Sequence, residues 1–354
     1  MIGHSRLGRT VLSGASLSAA AAVAGALLLG QPASAQSLPP RVILGAQQPG
    51  TLQHTVASAI AKVASDAAPT TVVVQPYAGA TTFLPLLDSG EIDFGVSPSV
   101  DYALSYLGAD KIKIDGRNPY PHTPHLRLVM GGSPLIASLI VRADSDIKSA
   151  DDLKGKRVAG DFPAQLGAFV NTYAHLRSAD LDWSDVNVVP FSSINDSLDA
   201  VVDGTIDATV FGVGAPKVRE ADAAVGVRFV SSDCSPEGKQ RILDTVPGYY
   251  LMDLPGGRFP GIAEGICTTA YDLYLVTQED ADPALVKAIL KALWDNLDKL
   301  PQYHPTLKAW NKKAAVKESA TIPFHPAAIE FYKEVGAWPE GMDAVQQRLL
   351  DAGS

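Results

Sequence analysis

Cysteine is almost absent from this sequence, with only Cys234 and Cys267 among 354 residues, and the motifs that organise many catalytic sites are missing. Residues 36–354 contain no G-x-S-x-G nucleophile elbow, no H-E-x-x-H or C-x-x-C motif and no phosphate-binding loop of the Walker kind. His122 and His125 flank a Thr-Pro pair without a nearby cysteine, which favours a solvated loop over a metal site. We therefore expect no enzymatic activity, no metal and no cofactor.

The first 35 residues have the pattern of a secretory signal peptide. Arg6 and Arg9 precede an Ala/Leu-rich apolar run from Val11 to Leu29, and Ala33-Ser34-Ala35 is a small-residue cleavage site. A retained membrane anchor is the alternative, but the apolar run is short and ends in the cleavage site. We expect cleavage near Ala35 and release of a monomeric protein into the periplasm.

Charge and cysteine chemistry follow from this export. Removal of the two arginines in the leader leaves 27 basic and 38 acidic residues, a net charge of −11. Such an acidic balance argues against nucleic acid or an anionic membrane surface as a partner.

An oxidising compartment permits a disulfide between Cys234 and Cys267. Two buried free thiols are the alternative, because the sequence does not report how far apart the two cysteines lie.

One stretch of sequence occurs twice, at an offset of 191 − 77 = 114 residues. Residues 77–96 (YAGATTFLPLLDSGEIDFGV) and residues 191–210 (FSSINDSLDAVVDGTIDATV) match in their aromatic, polar and apolar positions. Each copy indicates a polar loop after a strand, then a helix that ends at Gly90 or Gly204, then an apolar strand. Because strand–helix–strand units build parallel sheets, we predict two similar α/β lobes; chance similarity between α/β segments is the alternative.

The order of the predicted elements indicates an α/β protein with a two-lobe fold. In this fold two doubly wound sheets are joined by a hinge. Residues 135–141 are the predicted first crossing between the lobes, and residues 268–277 are the return. We therefore place lobe one at residues 36–133 plus 268–354 and lobe two at residues 134–267, a length that suits two lobes in one chain.

Polar side chains cluster where predicted strands end and predicted helices begin. Ligands of doubly wound sheets bind at the carboxyl ends of the strands, towards which helix N-termini point, and two such edges face each other across a cleft. This rule gives sixteen predicted ligand-binding residues: Gln47, Gln48, Thr51, Tyr77, Thr81, Thr82, Ser97, Asp101, Asp161, Phe162, Gln165, Ser192, Ser193, Asn195, Phe211 and Gly212. For each residue a helix-capping or loop role is the alternative, and for the aromatic residues a core role.

Three of these residues carry specific hypotheses. Thr81 and Asn195 are equivalent in the repeat, and we predict that they face one ligand from opposite lobes, at helix N-termini that favour a carboxylate. Asp161 either faces a cationic or hydroxyl group of the ligand or caps a helix that starts at Ala164.

Several segments resemble the solute-binding subunits of tripartite ATP-independent periplasmic (TRAP) transporters, specifically the TAXI family. These segments are LIVRADSDIKSADDLKGKRVA at the entry to lobe two, LPGGRFPGIAEG and IPFHPAAIEFYKEVGAWP, within a resemblance that covers nearly all of residues 36–354. The resemblance implies the type II-like two-lobe periplasmic-binding-protein fold. It also implies a periplasmic receptor that closes around a small organic acid or amino acid and delivers it to the permease subunits of a TRAP transporter. A receptor that serves a sensor kinase is the alternative, and an exported enzyme is a weaker one.

Overall fold

The structure is a computed structural model that describes residues 38–118, 120–246 and 248–354. The predicted signal peptide therefore lies outside the described residues. Within those ranges, no helix has both the length and the apolar character that crossing a bilayer requires.

Strands and α-helices alternate along most of the described chain. The strands are β1 (Arg41–Gln47), β2 (Thr71–Tyr77), β3 (Phe94–Pro98), β4 (Leu126–Arg142), β5 (Arg157–Asp161), β6 (Asn187–Pro190), β7 (Thr209–Gly212), β8 (Val227–Phe229), β9 (Tyr250–Leu254) and β10 (Ile266–Gln278). The α-helices are α1 (Leu52–Ala67), α2 (Ala80–Asp88), α3 (Ser99–Leu107), α4 (Leu166–Ser178), α5 (Ile194–Val202), α6 (Pro216–Val225), α7 (Pro236–Thr245), α8 (Pro283–Trp294), α9 (Pro326–Glu334) and α10 (Met342–Gly353).

A mixed eight-stranded sheet runs through the molecule in the order β2-β1-β3-β10-β4-β7, with β8 beside β4 and β9 beside β10. Strands β1, β2 and β3 are parallel, whereas the long strands β4 and β10 pair antiparallel with each other. Strand β10 also pairs with β3, and the far end of β4 pairs with β7 and β8, so these two strands connect the lobes. We refer to β1–β3, α1–α3 and α8–α10 as lobe one, and to β5–β8 and α4–α6 as lobe two.

The predicted two-lobe α/β fold is confirmed, and the structure shows how its sheets are joined. The predicted crossing covers only residues 135–141, but β4 begins at Leu126 and passes through Gly131 and Gly132 as one strand. A Cβ atom at Gly132 would lie 2.3 Å from the ring of Trp310, and one at Gly131 would lie 2.6 Å from the Ala314 carbonyl oxygen. The glycines therefore allow close packing within a continuous strand rather than ending it. The predicted lobe boundaries fall in β4 and near the start of β10, and they stay predictions.

The sequence repeat extends over most of both lobes. Helices α1 and α4 start at residues 52 and 166, and helices α2 and α5 start at residues 80 and 194, in each case 114 residues apart. The order β1-α1-β2-α2-β3-α3 recurs as β5-α4-β6-α5-β7-α6. Gly90 and Gly204 follow the repeat helices with φ values of 75° and 71°, a backbone conformation that favours glycine. The two lobes are thus built from the same succession of elements.

Cys234 and Cys267 form a disulfide, with a Cα–Cα distance of 6.3 Å. This distance is within the range that unstrained disulfides adopt. The bond ties the residue before the α7 cap to the second residue of β10. Of the two alternatives that the sequence leaves open, the structure therefore shows the bridge.

Candidate ligand-binding site

A cavity of about 30 Å³ lies at the junction of the two lobes. Its wall combines the first residues of α1, α3, α4 and α5 with parts of β4, β7 and β10. The lining residues are Gln47, Thr51, Leu52, Gln53, Pro98, Asp101, Leu135, Ala137, Gln165, Gly167, Ala168, Asn171, Ile194, Val210, Phe211, Gly212 and Tyr271. Since the first turn of a helix has unpaired N–H groups and a partial positive charge, four helix starts make this cavity favourable for a polar or anionic group.

Six of the sixteen predicted residues line the cavity, which places it at the predicted strand ends: Gln47, Thr51, Asp101, Gln165, Phe211 and Gly212. Two others support the lining residues. Ser97 donates its hydroxyl to the Asp101 carboxylate at 2.7 Å, and the Gln48 carbonyl accepts from the Thr51 hydroxyl at 2.8 Å. Thr51 in turn caps α1 by accepting from the His54 amide at 3.2 Å, so the start of α1 is fixed at the cavity edge.

Two equivalent hydrogen bonds join the lobes at the rim of the cavity. The Thr81 hydroxyl on α2 donates to the Ala164 carbonyl in the loop before α4, at 2.5 Å. The Asn195 amide on α5 donates to the Pro49 carbonyl in the loop before α1, at 3.0 Å. Residues 47–51 and 161–165 are themselves offset by 114. Helix α2 of lobe one thus contacts the loop before α4, and the equivalent helix α5 of lobe two contacts the loop before α1. We call this pair of bonds the rim latch. Both predicted side chains therefore contact the opposite lobe directly.

A third contact between the lobes lies inside the cavity. Gln165 Nε2 donates to Gln47 Oε1 at 3.0 Å, and Gln165 Oε1 accepts from the Ile194 amide at the start of α5 at 3.2 Å. Gln47 and Gln165 are each 3% exposed, so both side chains depend on these bonds. A ligand that enters the cavity must replace the Gln47–Gln165 contact with hydrogen bonds of its own.

Asp161 does not line the cavity. Its side chain is exposed, and its backbone carbonyl accepts from the Phe191 amide at 2.9 Å. Helix α4 begins at Leu166, two residues later than predicted, and Gln165 occupies the N-cap position without a side-chain capping bond. The capping role considered for Asp161 is therefore wrong, because the helix starts too far along the chain for its carboxylate to reach.

The other predicted residues make contacts within their own lobe. Ser193 caps α5, Thr82 donates to the Gly79 carbonyl at 2.6 Å, and Ser192 is exposed. Phe162 is fully buried, with its ring 6.4 Å from that of Phe191, and Tyr77 lies 5.7 Å from Phe83. The structure thus gives Phe162 the core-packing role that was its alternative, and Tyr77 packs against the core while partly buried.

Asp101 is the one charged side chain among the residues that line this cavity in the described chain. It is 1% exposed, and its two oxygens accept from Ser97 and, at 2.6 Å, from the Tyr120 hydroxyl. Burial raises the pKa of Asp101 to about 6, against the opposing effect of these two hydrogen bonds.

A buried polar network beside Asp101 was not predicted from the sequence. Asn171 on α4 donates its amide to the hydroxyls of Tyr249 and Tyr271, at 2.8 and 3.0 Å, and accepts from the Thr269 hydroxyl at 3.1 Å. The rings of Tyr249 and Tyr271 stack with centroids 5.0 Å apart. The network ties lobe two to β10. The signal for Asn171 is its place directly after the apolar residues Phe169 and Val170, since a buried amide needs partners.

The arrangement of two lobes joined by crossing strands is the two-lobe periplasmic-binding-protein fold. The chain matches the NMT1-like family over residues 44–336 and belongs to that family. Among solved structures, PhnD1 from Prochlorococcus marinus (MIT 9301) in complex with methylphosphonate is similar, with 12% identity, coverage of 84% of this chain and 99% of that one, and a TM-score of 0.51. A structure described as that of a periplasmic transporter has 13% identity, coverage of 88% and 97%, and a TM-score of 0.52. MatC from Rhodopseudomonas palustris with bound malate has 16% identity, coverage of 89% and 100%, and a TM-score of 0.49.

Proposed function

We propose that this protein is a periplasmic solute receptor that binds one small organic acid or amino acid between its lobes. The observation that carries this proposal is the cavity at the lobe junction, where four helix starts and one buried acid converge. Helix starts bind anionic groups, and a ligand held by both lobes stabilises the closed form in proportion to its differential affinity for that form. Binding of this kind needs no catalytic residue.

Closure of the lobes is the working motion in this proposal. A cavity of about 30 Å³ has room for roughly two water molecules, which is less than an amino acid needs. The lobes must therefore separate to admit the ligand and then close on it with the lining side chains rearranged around it. The crossing strands β4 and β10 connect the lobes and are where the hinge would lie. The lobe boundaries proposed above, within β4 and near the start of β10, agree with this position.

We further propose that the receptor delivers its solute to the permease subunits of a TRAP-type transporter. The support is the resemblance of the lobe-two entry and the C-terminal segments to TAXI receptors, together with the signal-peptide pattern of residues 1–35. A sensor kinase as the partner is the alternative. Intact-mass measurement of the exported protein tests its location, because cleavage near Ala35 gives a mature chain that begins at Gln36.

A thermal-shift screen of purified protein against amino acids and organic acids tests the binding function. A ligand that binds only the folded state stabilises that state by about 2.7 kcal/mol when its concentration is a hundred times its dissociation constant. The matched control is Gly79→Ala. A Cβ atom there would lie 1.9 Å from the Ala164 carbonyl oxygen of the other lobe, while the φ of −176° suits any residue. This variant should fold normally, bind weakly and show little shift.

The outcome of the screen separates the candidate functions. A saturable shift with wild type that is lost in Gly79→Ala supports a receptor that closes on its ligand. No shift with any compound at millimolar concentration would reject the proposal. Chemical conversion of a bound compound would instead support the exported enzyme, so each compound that binds is also followed by mass spectrometry.

A further inference from the structure

A second cavity, of about 210 Å³, has residues of both lobes in its wall and shares no lining residue with the first. Arg219 on α6 lines it from lobe two, and His304 and Thr306 line it from the segment between α8 and α9 of lobe one. Arg258 and Phe259 also line it. These two residues belong to the LPGGRFPG segment between β9 and β10, which takes no part in the solute cavity.

The wall of this cavity carries positive charge without an acidic side chain. Arg219 and Arg258 are exposed, no aspartate or glutamate lines the cavity, and neither arginine belongs to an ion pair among the residues that the structure describes. Asp222, three residues after Arg219, instead accepts from the Val227 amide at 3.1 Å and lines a different cavity. In a chain with a net charge of −9, this pair of arginines is a local site that attracts anions.

The charge of Arg219 acts across the cavity on the wall that lobe one provides. His304 is 7% exposed, and burial and the Arg219 guanidinium lower its pKa, while the Gly214 carbonyl opposes them. A Cβ atom at Gly214 would lie 3.4 Å from the Phe259 ring and 3.9 Å from the His304 ring, so these side chains meet at one place. An anion between Arg219 and this wall would therefore lie in a favourable field.

The two arginines have the geometry that an oxyanion requires. A guanidinium group is a planar fork of N–H donors, and it binds phosphate and carboxylate oxygens in pairs. The Arg258 guanidinium carbon lies 5.6 Å from the centre of the Phe259 ring, a contact that orients the fork at the cavity. A cavity of about 210 Å³ has room for several water molecules, so a small oxyanion fits without displacing a side chain.

We propose that this second cavity binds a small oxyanion of the phosphate or sulfate class between the guanidinium groups of Arg219 and Arg258. The inference goes beyond the proposed function and does not depend on which solute the first cavity takes. Since both lobes line the cavity, a bound oxyanion stabilises the arrangement in which the lobes are together.

Calorimetric titration of the exported protein with inorganic phosphate and with sulfate tests this proposal. Chloride at the same ionic strength is the comparison, because it measures the general effect of salt. The titrations are repeated with Arg219→Ala and Arg258→Ala, and with Arg219→Lys, which keeps the charge and loses the fork. Arg348→Ala is the matched control, because it removes an exposed arginine on α10, away from the cavity.

The expected result is saturable binding of phosphate or sulfate, but not chloride, to wild type. Arg219→Ala and Arg258→Ala should each weaken this binding about tenfold, because each removes charge-assisted hydrogen bonds. Arg219→Lys should weaken it less, and Arg348→Ala should leave it unchanged.

Two outcomes would overturn the inference and leave the receptor function intact. One is the lack of saturable phosphate and sulfate binding to wild type, and the other is unchanged affinity in both alanine variants. Both arginines are exposed, so these variants should fold, and thermal unfolding of each one checks this.

Discussion

Removal of the rim latch should weaken ligand binding without unfolding the protein. The Thr81 hydroxyl and the Asn195 amide each donate to a backbone carbonyl of the opposite lobe. Neither side chain lines the cavity, so a bound ligand need not displace these bonds. They therefore exist in the closed form, with or without ligand, and are absent when the lobes separate.

The size of the effect follows from the chemistry of these bonds. The Thr81 bond is partly buried and the Asn195 bond is exposed. A hydrogen bond between neutral groups stabilises a structure by about 0.5–1.5 kcal/mol. Each bond stabilises only the closed form, which is the form that holds the ligand. Its loss should therefore raise the apparent dissociation constant about two- to twelvefold in Thr81→Ala and in Asn195→Ala. The double variant should show about the product of the two factors, because the bonds lie in separate loops.

Calorimetric titration and thermal unfolding of each variant test this prediction. Thr82→Ala is the matched control, because its hydroxyl donates to Gly79 within the same lobe. It should leave the affinity unchanged. Thr81→Ser keeps the hydroxyl and should bind like wild type. If Thr81→Ala and Asn195→Ala bind normally but unfold at a lower temperature, they stabilise their own helices rather than the closed form, and the reasoning is refuted.

Three further predictions concern closure, the disulfide and pH. Gly79→Ala should weaken binding more than either latch variant, because its added methyl group would clash with the Ala164 carbonyl in the closed form; normal affinity in titration would contradict this. Reduction of the Cys234–Cys267 bond, which spans a sequence separation of 33, should lower the free energy of unfolding by about 3–4 kcal/mol in urea titrations. Burial raises the pKa of Asp101 to about 6 and lowers the pKa of His175 to about 4. The raised pKa of Asp101 stabilises the folded state below pH 4, and this contribution is lost as the pH rises through 6. The lowered pKa of His175 stabilises the folded state above pH 6.5, and this contribution is lost as the pH falls towards 4. Removal of the first contribution means that acidification from pH 7 to pH 4 should destabilise Asp101→Asn more than wild type, and equal destabilisation of the two would contradict this.

Much of the fold follows from local sequence chemistry. The repeat at an offset of 114 gives the two lobes, because glycine after a helix and an apolar run after that glycine are local signals. The sequence does not reveal that β4 continues through Gly131 and Gly132, since glycine in a strand is a local sign of interruption and the packing of Trp310 against it is a long-range contact. Residues 236–266 contain α7 and β9, which the sequence does not reveal, because the Gly/Pro-rich composition of this segment is typical of a loop.

The candidate site is only partly predictable for the same reason. The strand-end rule places Gln47, Asp101 and Gln165 at the cavity because it depends on topology alone. It does not separate them from Asp161, since strand ends also carry exposed residues. Tyr271 escapes the rule altogether: it comes from the middle of a crossing strand and meets Asn171 from a helix 100 residues earlier in the chain. Such a pair is visible only once the lobes are assembled.

Small-angle X-ray scattering during a ligand titration tests the central claim most directly. The account predicts that the radius of gyration of the exported protein falls as the tightest-binding compound of the screen is added, with the same midpoint that calorimetry gives. It also predicts that Gly79→Ala stays at the larger radius over that range of concentration. Saturable binding with an unchanged radius of gyration in wild type would contradict the account, because the solute would then not be held by closure of the two lobes.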